Sequence, residues 1–580
     1  KVDGVFSMWY GKGPGVDRSL DVLKHANAAG TSVTGGVIAL AGDDHAAKSS
    51  SLPHQSDHVF AAAGIPVFFP ASVQEILDLG IHAWALSRYA GVWVAMKCIS
   101  DVVESTSTVI ADPARVEVRL PDDYSLPEDG VSIRWPDSPL QQEARLLDQK
   151  LYAALAYIRA NRLNHDVTHP KHPRFGIIAS GKAWLDTLQA LADLGLSLQD
   201  CEDIGIRLHK VSVIWPLDAT SSRAFATGLQ EILVVEEKRQ LIEYALKEEL
   251  YGWRDDVRPR VIGKFDSRDG GEYAVPRGEW QLPIRSELSP AQIANAIASR
   301  LLNLELPEEV RARIADRLAA INRLCARANG DPLEARLAYY CSGCPHNTST
   351  HVPEGSRVLA GIGCHYMALW MPERRTETFT QMGGEGTPWI GQSPFTQEKH
   401  VFANLGDGTY FHSGILAIRA SVAAGVNITY KILYNDAVAM TGGQPIDGTL
   451  TVAQIVSQML AERVKRVVVV SDDIEKYADP ETAEKLPPGI DVHHRDRLDE
   501  IQRELREASG CTVIVYDQVC AAEKRRRRKA IVDGKPLMVD PPKRLLINDA
   551  VCEGCGDCSE QSSCLSIEPL ETEFGRKRQI

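Results

Sequence analysis

Short apolar runs alternate with longer amphipathic stretches along most of the chain. Val37-Ile38-Ala39-Leu40 predicts a strand, followed by the loop Ala41-Gly42-Asp43-Asp44-His45. Val67-Phe68-Phe69 predicts a second. A helix is predicted to start at Val73, with Ser72 as its N-cap and Glu75 completing a capping box. Further strand runs span 175–181, 206–211 and 231–236, and helices are predicted around 146–160 and over 184–192. Residues 290–335 are polar and rich in Ala and Arg, which predicts helix. Strand runs return at 358–362, 403–405, 428–433 and 466–470. Strands alternating with helices indicate α/β domains.

The pattern divides the chain into an α/β domain over 1–112 and a Pro-rich, charged connector over 113–170. A second α/β domain follows over 171–265, then a helical linker over 266–337. A third α/β domain covers 338–530, and a small cysteine-rich module covers 540–580. A length of 580 residues agrees, since about 150 residues per domain gives roughly three or four. The expected fold class is therefore multidomain α/β, with doubly wound parallel sheets and one small appended module. The chain opens at Lys1 and stops at Gly575–Ile580 without an evident closing element, so it is expected to be a fragment of something longer.

Composition narrows the function. Hydrophobic residues make up 44% and charged residues 24%, as in an ordinary soluble protein. No apolar run approaches the ~18–20 residues of a membrane helix, and no signal peptide opens the chain. The expectation is a cytoplasmic protein without a membrane partner. A net charge of −13 argues against nucleic-acid binding. The basic run Lys524-Arg525-Arg526-Arg527-Arg528-Lys529 reads as a solvated loop or a docking patch for an acidic partner.

The most informative chemistry is Gly406-Asp407-Gly408, then 26 residues, then Asn435-Asp436-Ala437. A diphosphate needs a hard divalent cation, and Mg²⁺ takes oxygen ligands in octahedral geometry. Asp407 offers a carboxylate at a strand end, where open α/β sheets bind ligands. Asn435 offers an amide oxygen from the next parallel strand, and Ala437 a backbone carbonyl. Gly406 and Gly408 allow close backbone approach. The helix after Thr409 can aim its first N–H groups at phosphate oxygens.

The 12 cysteines also carry a pattern. Cys552, Cys555 and Cys558 stand at two-residue intervals with Cys564 beyond, a spacing that suits a [4Fe–4S] cluster better than zinc. Cys341 and Cys344 form a second C-x-x-C step. C-x-x-C steps in a large chain without an export signal fit metal ligation in a reducing compartment better than disulfides. Cys364 and Cys520 read on their own as core thiols as readily as ligands.

Together these motifs resemble thiamine-diphosphate enzymes, and more narrowly the 2-oxoacid:ferredoxin oxidoreductases. In that family Met-Thr-Gly-Gly-Gln follows the asparagine, as Met440–Gln444 do here. The block Tyr10–Arg18, with Gly42-Asp43-Asp44-His45, resembles the indolepyruvate type. The resemblance implies a partial pyrimidine-binding domain over 1–112 and a transketolase C-terminal-like domain over 171–265. It implies a diphosphate-binding domain over 338–530 and a partial ferredoxin-like domain over 540–580. It implies a cluster beside the cofactor held by Cys341, Cys344, Cys364 and Cys520, and makes His412 and Thr441 pocket residues. His346 and His365 neighbour the cluster cysteines and read equally as catalytic or structural. The implied reaction is oxidative decarboxylation of an aryl 2-oxoacid, with electrons passing through [4Fe–4S] clusters to ferredoxin and acyl transfer to coenzyme A or release of the arylacetate. The remainder of the enzyme and a second copy of the chain are implied partners. The glutamate that activates thiamine, and a second ferredoxin triad, are expected outside this chain. A non-oxidative decarboxylase and an electron-transfer scaffold without turnover are the rival readings.

Overall fold

The computed structural model describes residues 4–48, 50–134, 137–266, 280–330, 339–446, 448, 450–478, 485–539, 545–562, 564 and 566–580. Parts of the predicted helical segment (331–335), the linker (267–279 and 331–337) and the cysteine-rich module (540–544, 563 and 565) lie outside those residues. The chain forms two compact units, Lys1–Leu333 and Glu334–Ile580.

In the first unit, one sheet combines β1 (Phe6–Lys12), β2 (Gly36–Asp43), β3 (Val67–Phe68), β4 (Val94–Ile99) and a later strand, Val213–Trp215. The other contains β5 (Asn164–Asp166), β6 (Phe175–Ser180), β7 (Ile206–Val211), β9 (Glu231–Val235) and β10 (Arg260–Ile262). The strand Val213–Trp215, β8, follows β7 after one residue, yet crosses to the first sheet and pairs antiparallel with β3. The other pairings are parallel, except β5 with β7. Parallel strands bury both faces, and β6 is buried at every position.

Several local expectations shift. Tyr10-Gly11-Lys12 ends a strand, and Gly13–Arg18 is helical with Pro14 in its first turn. β2 runs on through Asp43. Ser72 caps the helix Val73–Ala90 by accepting from the Glu75 N–H at 3.3 Å. The Glu75 carboxylate, however, accepts from Ala71 N–H and pairs with Lys210, so the reciprocal half of the box is absent.

The carboxyl edge of the first sheet gathers buried charge. Lys97 on β4 pairs with Asp57 at 2.8 Å and approaches Asp43 to 3.9 Å. Burial opposes its charge, but the two carboxylates hold its ammonium above the usual range. Glu237, just past β9, bonds His45 at 2.8 Å and lies 3.7 Å from Lys182.

The second unit is built on seven strands in the order β12-β11-β13-β14-β17-β15-β16, all parallel. These are β11 (Val358–Ala360), β12 (Thr376–Phe379), β13 (Val401–Gly406), β14 (Ile428–Tyr434), β15 (Arg466–Ser471), β16 (Asp491–His494) and β17 (Cys511–Asp517). β13, β14, β17 and β15 fill the middle, and Val401, Ile428, Val513 and Val469 share one core. The run Lys524–Lys529 is part of a helix, Ala521–Lys529, not a loop. The last residues close on themselves: Glu568–Thr572 and Gly575–Gln579 pair as an antiparallel hairpin. Among the described residues no helix is long and apolar enough to cross a membrane.

Candidate cofactor and metal site

The register of two strands sets the site. Gly406 at the end of β13 stands opposite Leu433 on β14, so the residues that follow leave the sheet side by side. Asp407 is buried, and its carboxylate accepts from the N–H groups of Gly408 at 2.8 Å, Asn435 at 2.9 Å and Asp436 at 2.9 Å. Burial pushes its carboxyl up to about 6, against the pull of those N–H donors. Asn435 is 8% exposed, and its Oδ1 is buried without any hydrogen-bond partner. An unmet buried amide oxygen is costly, so its presence calls for a ligand. A carboxylate with a spare lone pair, an amide oxygen and a nearby carbonyl at buried Ala437 form an oxygen-only donor set, which fits a hard cation.

After Asp407 the chain turns helical, widens into a π turn at Tyr410–Gly414, and continues as Ile415–Ala424. His412 sits on that wide turn, exposed, with its Nδ1 2.9 Å from Ser413 Oγ. Thr441 is also exposed, and its hydroxyl bonds Gln444 Oε1 at 2.8 Å within a local turn. Both bonds are local, to residues one and three positions away.

Behind Asp407 lies a buried basic face. His365 packs on Gly406, where a Cβ would fall 3.2 Å from its Cε1. Its ring meets His346 edge to face at 5.5 Å, and its Nε2 has no partner. Burial lowers His346 to about 4 and His365 well below the usual histidine range. Lys431 on β14, opposite Asn404, is fully buried and donates to the carbonyls of Ser349 at 2.7 Å and His351 at 3.1 Å. Burial brings its ammonium down to about 7. Sequence reasoning passed over Lys431, and also Tyr340, which donates to the His365 carbonyl at 3.3 Å. A lysine inside an otherwise apolar strand was the available signal.

The first cysteine set converges although its members are far apart in sequence. Burial pushes the Cys344 thiol up to about 12, and the charges of Cys364, Cys341 and Cys520 add to the rise. Cys364 follows β11 and Cys520 follows β17. Among the described residues, no three His, Cys, Asp or Glu side chains are drawn together as ligands of a single metal ion. A four-iron cluster makes a different demand, because each thiolate binds its own iron and the thiols stand farther apart. In the tail, Cys555 and Cys558 are exposed, and Cys552 Sγ accepts from Arg578 N–H at 3.4 Å. Cys564 is bonded by Ser342, which lowers its thiol below the usual range and ties the tail to the Cys341–Cys344 loop.

Residues 164–329 match the family described as indolepyruvate ferredoxin oxidoreductase middle domain. Residues 361–516 match the thiamine pyrophosphate enzyme C-terminal TPP binding domain. Along its length the chain is 24% identical to the indolepyruvate oxidoreductase subunit IorA of Methanothermobacter marburgensis, over 97% of this chain and 81% of that one. It is 23% identical to the subunit of the same name from Thermococcus kodakarensis, over 96% and 87%. The chain is thus similar to indolepyruvate oxidoreductase subunits along nearly all of its length. A 2-oxoglutarate:ferredoxin oxidoreductase of Magnetococcus marinus shares 15% identity at a TM-score of 0.32, over 51% of this chain and 53% of that one. That likeness is too loose to place any residue. The thiamine pyrophosphate match runs from the end of β11 to β17 and so contains Cys364, Asp407 and Asn435. Cys341, Cys344, Cys520 and the tail cysteines fall outside it.

Proposed function

We propose that the chain is the thiamine-diphosphate-binding part of an enzyme that oxidatively decarboxylates an aryl 2-oxoacid of the indole-3-pyruvate type, giving the acyl-CoA or arylacetate. When bound, thiamine diphosphate supplies the electron sink for loss of carbon dioxide. Mg²⁺ would be held by the Asp407 carboxylate, Asn435 Oδ1 and the Ala437 carbonyl. Gly406 and Gly408 would let the diphosphate approach, with His412 and Thr441 near its rim. His365, whose Nε2 lacks a partner, and His346 would contact substrate or cofactor. Cys341, Cys344, Cys364 and Cys520 would hold one [4Fe–4S] cluster, and Cys552, Cys555 and Cys558 would hold another, with Cys564 serving a neighbouring one. Electrons would leave to ferredoxin or a similar acceptor, the chain working with the remainder of the enzyme and a second copy of itself.

The observation that carries the proposal is the unmet Oδ1 of Asn435, whose own backbone N–H donates to the buried carboxylate of Asp407. The names of the curated relatives favour indolepyruvate over other 2-oxoacids. Anaerobic purification with iron, sulfide and thiamine quantification, then 2-oxoacid-dependent viologen reduction across aryl and alkyl substrates, tests it. Thiamine without iron would turn the reading into a non-oxidative decarboxylase. Clusters without thiamine at any Mg²⁺ concentration would leave an electron-transfer scaffold.

A further inference from the structure

The helix Ala521–Lys529 carries four arginines in nine residues, and its arginines reach into two loops. Arg527 grips Asp436 twice, side chain to side chain at 2.7 Å and Nη2 to the backbone carbonyl at 3.0 Å. Asp436 has a positive φ of 58°, a left-handed backbone that costs free energy in a non-glycine residue. It stands between Asn435 and Ala437. Arg526 donates to the Gly442 carbonyl and pairs with Glu523. A Cβ on Gly443, whose φ is +81°, would fall 2.0 Å from Glu523 Oε1. Gly443 is therefore what lets this helix dock so closely. At the helix start, the Cys520 N–H donates to the Asn435 carbonyl at 3.0 Å. Arg525 reaches the other way, donating to the Ser342 carbonyl between Cys341 and Cys344 at 3.0 Å.

We infer that Arg527 is a positioning residue for the cation loop, holding the strained Asp436 so that Asn435 and Ala437 face Asp407. This rests on the cofactor reading proposed above. A forked guanidinium suits the task because one side chain fixes both a carboxylate and a carbonyl, which an ammonium cannot do in one plane.

The test is thiamine diphosphate binding to the full chain, titrated over a range of Mg²⁺ concentrations and followed by calorimetry, with thermal melting of each variant. Arg527→Gln is expected to raise the Mg²⁺ needed for half-saturation by roughly tenfold, the size a two-point charge-assisted contact supports. Saturating Mg²⁺ should restore full stoichiometry, Arg527→Lys should recover part of the loss, and the melting midpoint should hold. Lys529→Gln removes the same charge from the exposed helix end and should change nothing beyond twofold. The double variant Asp436→Asn/Arg527→Gln should be no worse than the poorer single. The inference is overturned if Arg527→Gln binds like the parent, if Lys529→Gln loses as much, if the double losses multiply, or if melting falls in step with affinity. A parent chain that binds no thiamine diphosphate at any Mg²⁺ concentration sinks the cofactor reading itself, a result distinct from all of these.

Discussion

Two sheet edges in this chain bury polar groups in opposite ways. In the first unit Lys97 stands between Asp57 and Asp43, and Glu237 between His45 and Lys182, so each buried charge has its opposite beside it. In the second unit Lys431 has carbonyl oxygens for partners, while Asn435 Oδ1 and His365 Nε2 have none. A matched edge balances its charges within its own fold, even though Asp57 Oδ1 and His45 Nε2 keep no hydrogen-bond partner. An unmatched one stores desolvation cost that a ligand can relieve.

Breaking the matched edge should give the largest effect. Lys97→Met leaves Asp57 buried and uncompensated, and should cost about 3–5 kcal/mol in denaturant unfolding. Pairing it with Asp57→Asn should restore most of the loss; a single-variant cost below about 1 kcal/mol would erase the contrast. Next comes Asp407→Ala. Neighbours of metal ligands are typically worth about 10–100-fold in affinity, so a direct ligand should weaken Mg²⁺–thiamine diphosphate binding at least on the order of a hundredfold. Calorimetric binding equal to the parent would remove the cation from the site.

Lys431 sharpens the comparison through pH. Its folded ammonium sits near pKa about 7 against 10.5 in the unfolded chain, so the unfolded state holds the extra proton between those values. Stability from this group therefore rises with pH across that window, by about 1.4 kcal/mol per pH unit. Lys431→Met should flatten the rise when urea midpoints are compared at pH 7.5 and 9, and identical slopes would count against it. The smallest effect is expected at Thr451, which caps the helix Val452–Ala461 with a complete box to Gln454. Thr451→Ala should cost about 1 kcal/mol of stability and leave cofactor affinity alone.

What the sequence made legible follows from where the chemistry is local. The apolar run at β15 announced itself because strands of a parallel sheet are buried on both faces. Gly406-Asp407-Gly408 and Asn435 were visible because both follow strands directly. The edge strands β12 and β16, Thr376–Phe379 and Asp491–His494, were not read, since their polar residues look like loop. Lys431 was missed because its partners are backbone carbonyls of Ser349 and His351, some eighty positions away, which no side-chain pattern names. The arginine run was taken for a solvated or docking feature for the same reason: its targets at Ser342, Gly442 and Asp436 include backbone carbonyls.

The pairing of β13 with β14 has a consequence for tolerance to change. Asp407 and Asn435 are aligned by a ladder running from Val401–Ile428 to Gly406–Leu433, upstream of either side chain. Sliding one strand by a single residue would exchange inward and outward faces along the whole ladder and carry the carboxylate away from the amide. An insertion beside Gly425, past the helix Ile415–Ala424, leaves that alignment untouched, so the chain can lengthen there without parting the carboxylate from the amide.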